Sequence, residues 1–310
     1  MKDFSILIST WNNCQRLQLT LDTLAQMIIP KGLTWELVIV NNACTDQTDE
    51  VVRRFISRLP LIYAKEPLRG LSRARNKGLS MAAGQLVIFT DDDVKPSPDW
   101  ILVYWSVFKQ YPEGYFFGGP IVSDFENPDF DRELLNFAPP SVKGLDWGQD
   151  IRVLNKGEYF IAANWACPRE TLLRCGAFNI HKGLGASGNR VSIGEENDLM
   201  ARLQQEGWKP LYVPEAKIYH FVPKSKCTLK HIANRCEASG FEHASLHIDA
   251  EKDHFIAGIP RWMFKRYLFL WKKLVLSKMR GEKGYSQCLQ SREMMGIMKG
   301  AFNLQNRNQR

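Results

Sequence analysis

The 310-residue sequence contains no C-x-x-C pair, and its seven cysteines are an odd number. Both features disfavour a zinc ribbon or a disulfide framework, and free thiols in a reducing compartment are expected instead. No uncharged apolar run approaches the about 18 residues of a transmembrane helix, and the start lacks the apolar core of a signal peptide. The sequence therefore predicts a cytoplasmic protein.

The first strand-like run is not followed by a glycine-rich turn, because the residues there are Thr10-Trp11-Asn12-Asn13. This absence disfavours a dinucleotide oxidoreductase, which needs G-x-G-x-x-G, and a nucleotidyltransferase, which stays open as an alternative. The net charge of +8 suits phosphates or an acidic lipid surface. No nucleic-acid-binding module is recognisable, so we expect no nucleic-acid partner.

Apolar runs and helical patterns alternate along the first third of the chain. Buried strands are predicted at 4–9, 36–40, 61–64 and 85–90, and further strands at 116–122 and 160–163. Strands that alternate with helices predict an α/β fold with a mostly parallel sheet and helices on both faces. Near residue 228 the sequence becomes helical and basic. We therefore predict a domain at 1–227 and a C-terminal helical extension at 228–310.

Three polar clusters, at residues 10–12, 41–42 and 91–93, come directly after predicted strands. Ligands of such sheets bind beyond the carboxyl ends of the strands, so one shared site is expected there. The triplet Asp91-Asp92-Asp93 contains a D-x-D arrangement. Adjacent carboxylates repel one another, and Mg²⁺ or Mn²⁺ would relieve this while holding a substrate diphosphate. A solvated acidic turn is the other interpretation.

The segment 69–78 carries several arginines at the start of a predicted helix, which is a natural site for a phosphate. An ordinary basic helix face is the alternative. Glu195 and Glu196 begin another helix, on which Glu196 shares a face with Met200 and Leu203 and should point inward. A carboxylate there could act as a general base. Acidic residues in a first helical turn are, however, also favoured by the helix dipole alone.

Three further side chains are ambiguous from the sequence. His220 ends a predicted strand and either completes a metal shell or is an ordinary buried histidine. Trp165, beside Asn164, either stacks on a sugar or belongs to the core. The basic, aromatic-rich segment 261–276 either lies on an anionic membrane surface or packs against the rest of the protein.

Four ordered motifs resemble those of the family 2 glycosyltransferases, which have the GT-A fold. They are Ser9-Thr10-Trp11-Asn12, the segment 40–46 (VNNACTD), the block from Ala74-Arg75-Asn76 to Asp91-Asp92-Asp93, and Gly194-Glu195-Glu196-x-Asp198-Leu199. The resemblance covers roughly residues 4–222. It implies a hexosyl or related transferase that uses Mn²⁺ or Mg²⁺ and a nucleotide-sugar donor, a UDP-sugar above others. The acceptor would be a glycan, a lipid-linked sugar or another hydroxyl compound.

The resemblance also implies residue roles. The implied donor-binding residues are Thr10, Asn12, Asn42, Arg75, Asp91 and Asp92. Asp93 and His220 would bind the metal, and Glu196 would be the catalytic base. Asn164 and Trp165 would contact the acceptor. Two positions depart from the family pattern. Asn41-Asn42 replaces an acidic pair, which leaves the nucleotide base open, and Glu196 replaces an aspartate, with Glu195 as a competing base.

Direct displacement with inversion is the expected mechanism, although retention stays open. Polysaccharide or glycoconjugate synthesis is the expected role, and attachment to the inner face of the plasma membrane is an open alternative to a fully cytoplasmic protein. Acceptor selectivity is expected in residues 124–158 and 181–193. A non-catalytic sugar or nucleotide binder is the alternative from a different class, but the presence of both acidic motifs argues against it.

Overall fold

The computed structural model describes residues 2–184, 194–249 and 253–308. These form two compact units: residues 2–124, 144–184 and 194–221 in the first, and residues 125–143, 222–249 and 253–308 in the second. Residues 125–143 thus belong with the C-terminal part of the chain. The predicted domains at 1–227 and 228–310 stay a prediction.

Strands and helices alternate along the first unit as expected, and the elements of both units are numbered in chain order. The strands are β1 (Lys2–Thr10), β2 (Trp35–Asn42), β3 (Leu61–Glu66), β4 (Gly84–Thr90), β5 (Val94–Pro96), β6 (Tyr115–Gly118), β7 (Ile121–Phe125), β8 (Arg152–Val153), β9 (Asn164–Pro168), β10 (Lys209–Tyr212), β11 (Ile218–Val222), β12 (Phe255–Ile256) and β13 (Ile259–Pro260). The helices are α1 (Cys14–Leu24), α2 (Thr48–Phe55), α3 (Leu71–Met81), α4 (Trp100–Gln110), α5 (Arg132–Leu135), α6 (Pro140–Lys143), α7 (Arg169–Arg174), α8 (Glu195–Gln205), α9 (Leu229–Glu242), α10 (Arg261–Met279) and α11 (Tyr285–Asn308).

An eight-stranded sheet runs through the first unit in the order β3-β2-β1-β4-β9-β6-β10-β8. The pairs β1–β2, β1–β4, β2–β3 and β6–β10 are parallel. Strand β9 is antiparallel to both of its neighbours, and β8 is antiparallel to β10. The predicted α/β fold with a mostly parallel sheet and flanking helices is confirmed.

The central strands are buried on both faces, which is why they are near-continuous apolar runs in the sequence. Successive side chains of a strand point to opposite faces, so Ile6 and Ile8 of β1 pack with Leu17 and Leu21 of α1. Leu7 lies on the other face, in a cluster that includes Ala74 and Leu79 of α3. Two apolar layers therefore enclose the sheet and hold its strand ends in place.

The start of β4 approaches β1 so closely that only glycine fits. A Cβ at Gly84 would lie 2.3 Å from the backbone nitrogen of Ser5. The Gly84 amide donates to Ser5 Oγ at 2.8 Å, and Ser5 Oγ donates to Glu36 Oε1 at 2.6 Å. This buried chain of hydrogen bonds joins β4, β1 and β2 and sets their relative positions.

Two strand predictions need correction. The predicted strand 116–122 is interrupted at Gly119-Pro120 and forms β6 and β7, which lie in different sheets. The predicted strand at 160–163 is wrong, because the strand is β9 and begins at Asn164. Phe160 is buried against the Cα of Gly118 and edge-on to Phe116, with ring centres 5.9 Å apart. Its apolar neighbourhood therefore reflects side-chain packing rather than strand pairing.

The second unit is mainly helical. Helices α9 and α11 pack with their backbones in close approach: a Cβ at Gly296 would lie 2.0 Å from the carbonyl oxygen of Glu237. Strands β12 and β13 form an antiparallel pair before α10. Within the described residues, no helix has the length and apolar character needed to cross a membrane.

Candidate active site

The polar clusters that follow β1, β2 and β4 lie at one edge of the sheet. The register pairs Thr10 with Asn41 across β1 and β2, and Ile8 with Thr90 across β1 and β4. Because these strands are parallel, their carboxyl ends meet, and Asp91 follows directly. The sheet therefore assembles the residues that the sequence singled out at three separate positions.

The small sheet β5-β11-β7 brings His220 to the aspartates. His220 pairs with Val94 across β5 and β11, and its Nε2 lies 3.3 Å from Asp93 Oδ1. One donor atom from each of Asp91, Asp93 and His220 lies within 4.8 Å of the other two. Carboxylate oxygens and an imidazole nitrogen suit Mn²⁺, and carboxylates also suit Mg²⁺. The residues present therefore fit a divalent cation.

Asp92 is hydrogen-bonded to α1 and to the residue directly before it. Its Oδ1 accepts a hydrogen bond from Asn13 Nδ2 at 2.7 Å, and its carbonyl accepts one from Thr20 Oγ1 at 3.0 Å. Burial, together with the charge of Asp93, raises the pKa of Asp92 to about 7. In this structure Asp92 connects the end of β4 to α1. Its contact with the donor stays a prediction.

A buried arginine connects the aspartates to helix α8. Arg75, on α3, is 3% exposed, and its Nη1 lies 2.9 Å from Glu195 Oε1. Its Nη2 lies 3.6 Å from Asp91 Oδ1. The Arg75 guanidinium therefore lies between a carboxylate at the end of β4 and a second carboxylate at the start of α8. Nothing in the sequence indicated this link, although all three residues lie in the motifs.

Glu196 differs from its neighbour. Glu195 is held by Arg75, whereas Glu196 Oε2 is buried and has no hydrogen-bond partner among the described residues. Burial, and secondly the negative charge of Glu195, raise the pKa of the Glu196 carboxyl. A carboxyl group with a raised pKa and an unused oxygen is suited to taking up a proton. Helix α8 begins directly after Gly194, whose φ of 87° is in the left-handed region.

The two predicted donor-binding asparagines hold loops together. Asn42 Oδ1 accepts from the Gly70 amide at 2.9 Å, and its Nδ2 donates to the Leu68 carbonyl at 2.8 Å. Asn12 Oδ1 accepts from the Thr45 amide at 2.7 Å. These bonds fix the segment before α3 and the segment after β2. A direct contact of either amide with a nucleotide stays a prediction, as does that of the buried Thr10.

A stacked pair at the same edge was not singled out by the sequence. The guanidinium carbon of Arg69 lies 3.7 Å from the ring centre of Trp11, which is largely exposed. Asn42 fixes the backbone on both sides of Arg69 through Leu68 and Gly70. The only sequence signal was an aromatic residue directly after the first strand, next to a basic segment.

Asn164 and Trp165 lie inside the fold. The Asn164 side chain accepts from Trp100 Nε1 and the Tyr104 hydroxyl, and it donates to the carbonyls of Pro120 and Ala216 at 2.9 and 2.7 Å. Trp165 is fully buried and stacks on Phe89, with ring centres 4.7 Å apart. This placement matches the core interpretation of Trp165. Their predicted acceptor contact stays a prediction.

The expected acceptor segments are described only in part. In the segment 181–193, the Lys182 carbonyl accepts from Ser72 Oγ at 2.7 Å, and the Leu184 carbonyl accepts from the Leu71 amide at 2.9 Å. Lys182 Nζ pairs with Asp198 at 2.7 Å. The beginning of this segment therefore packs against the first turns of α3 and α8. Residues 185–193 lie outside the described residues. The segment 124–158 contains α5, α6 and β8.

Comparisons with known proteins agree with this arrangement. A family model described as Glycosyl transferase family 2 matches residues 5–179. The succinoglycan biosynthesis protein ExoM of Rhizobium meliloti is 26% identical over 242 residues, covering 76% of this chain and 72% of that protein. The glucosyl-dolichyl phosphate glucuronosyltransferase of Haloferax volcanii is 23% identical over 221 residues, covering 70% of this chain and 68% of that protein.

A solved structure shares the fold. The mannosyltransferase PcManGT from Pyrobaculum calidifontis, in complex with GDP-Man and Mn²⁺, superposes with a TM-score of 0.60. The match covers 98% of this chain and 88% of that chain, at 18% sequence identity. At this identity the likeness establishes the GT-A architecture.

Proposed function

The chain belongs to glycosyl transferase family 2 and is a glycosyltransferase, and we propose that it transfers a sugar from a UDP-sugar to an acceptor hydroxyl. The proposed transfer inverts the anomeric carbon and depends on Mn²⁺ or Mg²⁺. The support for a metal-dependent donor site is the side-chain cluster of Asp91, Asp93 and His220 at the carboxyl ends of the strands.

The observation that carries the proposal is the connection between this cluster and α8. Arg75 contacts both Asp91 and Glu195, and Glu196 follows Glu195 with an unused buried oxygen. A site for the leaving diphosphate and a group that can accept a proton are therefore joined by one buried cation. A displacement reaction needs both parts, because charge develops on the leaving group while the attacking hydroxyl loses its proton.

In the proposed reaction, Glu196 takes the proton of the acceptor hydroxyl. The oxygen then forms a bond to the anomeric carbon as the bond from that carbon to the donor diphosphate breaks, which inverts the configuration. Glu195 and Arg75 position the start of α8 rather than react. Asp91, Asp93 and His220 would hold a divalent ion, which would act as a Lewis acid and neutralise charge on the diphosphate.

The proposed role is polysaccharide or glycoconjugate synthesis, with a glycan or a lipid-linked sugar as the acceptor. The printed names of two relatives support it: one is a succinoglycan biosynthesis protein and the other a glucosyl-dolichyl phosphate glucuronosyltransferase. We place the reaction in the cytoplasm, with the protein attached peripherally to the inner face of the plasma membrane.

A thermal-shift screen tests the donor site. Nucleotide-sugars with different bases are added to the wild type and to Asp93→Ala, each with and without Mn²⁺ or Mg²⁺. A ligand of the native state raises the unfolding midpoint by mass action. We expect a UDP-sugar to raise the wild-type midpoint only with metal, and Asp93→Ala to lose that shift. An equal, metal-independent shift in both proteins would contradict the proposed metal role.

A further inference from the structure

Helix α10 has one side buried inside the second unit. Met263, Leu270 and Ser277 recur at every seventh residue and are at most 5% exposed. Met263 and Leu270 pack in an apolar cluster with Met294, Ile297 and Ala301, which lie on α11. This side holds the helix in place and leaves its opposite side to the solvent.

The opposite side carries an exposed apolar stripe. Leu268 is 62% exposed, Trp271 is 54% exposed and Met279 is 78% exposed, with Val275 between them. Their spacing of three and four residues places them on one helix face. Exposed apolar residues are ordinary when scattered, but a contiguous stripe with a tryptophan marks a contact surface.

A second exposed set lies on the side of the helix between this stripe and the buried side. Trp262, Phe269 and Leu276 recur at every seventh residue and are exposed. Lys273 and Arg266 lie over the Phe269 ring, with their charged groups 4.7 and 5.6 Å from its centre. Aromatic rings beside long basic side chains are typical of helices that lie in a membrane interface, where the rings enter the headgroup region.

The charge of α10 is of one sign. The helix, residues 261–279, contains six Lys and Arg residues and no Asp or Glu. The basic residues are Arg261, Lys265, Arg266, Lys272, Lys273 and Lys278. Their positive charge repels another copy of the same face and complements anionic headgroups. Charge complementarity together with the exposed stripe selects one kind of partner.

We propose that the exposed face of α10, which we call the docking face (Leu268, Trp271, Val275 and Met279 with the flanking Lys265, Lys272 and Lys278), binds an anionic lipid bilayer. The stripe enters the boundary between headgroups and acyl chains, and the basic side chains contact lipid phosphates. The proposal deepens the peripheral membrane location proposed above, and it does not depend on the chemistry of sugar transfer.

Co-sedimentation of the full chain with vesicles tests this. Phosphatidylcholine vesicles are compared with vesicles that also contain phosphatidylglycerol, at low and high salt. We expect at least about tenfold tighter binding to the anionic vesicles, weakened by salt. Lys265→Glu with Lys272→Glu, and separately Leu268→Ser with Met279→Ser, should each lose at least about tenfold of that binding. No preference for anionic vesicles in the wild type overturns the proposal.

A matched control carries the same changes outside the docking face. Lys31→Glu with Lys109→Glu reverses two exposed charges of the first unit, and separately Ile56→Ser with Leu19→Ser alters two exposed apolar residues there. These variants should bind anionic vesicles as the wild type does. Equal loss in the control and the α10 variants would mean general electrostatic adhesion and would overturn the proposal.

Quenching of tryptophan fluorescence by brominated lipid gives a second measurement on a milder variant. Trp271→Phe keeps an aromatic side chain and the fold, and it should lose part of the quenching while still binding vesicles. Unchanged quenching would show that Trp271 stays outside the bilayer and would overturn the docking face. A change from dimer to monomer in Leu268→Ser with Met279→Ser would identify a second copy as the occupant, with the same consequence.

Transfer to a water-soluble acceptor without vesicles separates the two proposals. The docking proposal predicts that the α10 variants keep the wild-type transfer rate while losing vesicle binding. An absence of transfer in the wild type contradicts the proposed function and leaves the vesicle result to decide the docking face.

Discussion

Arg75 lies between two carboxylates that are 104 positions apart in the chain, with its Nη1 2.9 Å from Glu195 and its Nη2 3.6 Å from Asp91. A buried cation shared in this way ties the end of β4 to the start of α8. The geometry of the site therefore depends on a contact between the end of β4, which carries Asp91, and the start of α8, which carries Glu196.

Removal of this cation should destabilise the protein strongly. Arg75→Met leaves the buried Glu195 carboxylate without its partner, and breaking a buried ion pair in this way costs about 3–5 kcal/mol. Urea unfolding of the apoprotein measures the loss. The control is Arg58→Met, which removes an exposed pair with Asp22 and should cost at most about 1 kcal/mol. Equal losses in the two variants would contradict the structural role of Arg75.

The Asp93→Ala variant should weaken Mn²⁺ binding by more than about tenfold, because one of the clustered donors is lost. Titration of free Mn²⁺ by electron paramagnetic resonance measures this without any activity assay. Asp99→Ala is the control, because Asp99 is exposed and its side chain does not cap α4. Loss of binding in the control, or unchanged binding in Asp93→Ala, would count against the cluster as the metal site.

The raised pKa of Glu196 predicts a pH dependence of stability with a definite sign. The folded state keeps the proton to a higher pH than the unfolded chain does, so the free energy of unfolding falls as pH rises through the window between the ordinary and the raised pKa. Glu196→Gln stays neutral and should show a smaller fall, because only the contribution of the raised pKa of Asp92 then remains. Urea unfolding of the wild type and the variant across this range measures it. Parallel curves for the two proteins would show that Glu196 does not titrate with a raised pKa.

The raised pKa of Glu196 also predicts how the rate of sugar transfer depends on pH. The proposed base must be deprotonated, so kcat/KM should rise with pH, with an apparent pKa above the usual range of a glutamate. Initial rates with a saturating metal concentration test this. A profile that is already flat at mildly acidic pH would be inconsistent with Glu196 as the base.

The parallel strands and the edge where the site lies were predictable from the sequence, because buried strands are apolar throughout and polar residues stop them. Thr10, Asn42 and Asp91 each follow such a run. The pairing of His220 with Asp93 was harder to predict. It depends on β5, a strand of three residues whose pairing with β11 no periodicity indicates.

The hydrogen bonds of polar side chains inside the fold could not be predicted from the sequence either. Asn164 is surrounded by donors and acceptors from α4 and from the segments around Pro120 and Ala216, which are far apart in the chain. An asparagine beside a tryptophan resembles a surface recognition pair just as well. In the same way, the sequence contained two adjacent glutamates, and only the position of Arg75 distinguishes the one that is paired.

The most direct test of the account is the initial rate of sugar transfer by Glu196→Gln and Glu195→Gln at saturating donor and metal, with the donor-induced thermal shift measured in parallel. We predict that Glu196→Gln lowers kcat by about 10²-fold or more with the thermal shift retained, since only the proton acceptor is lost. Glu195→Gln should lower the rate less and reduce stability, because it weakens the contact with Arg75. Near-wild-type transfer by Glu196→Gln, with transfer abolished in a folded Glu195→Gln, would contradict the assignment of the base.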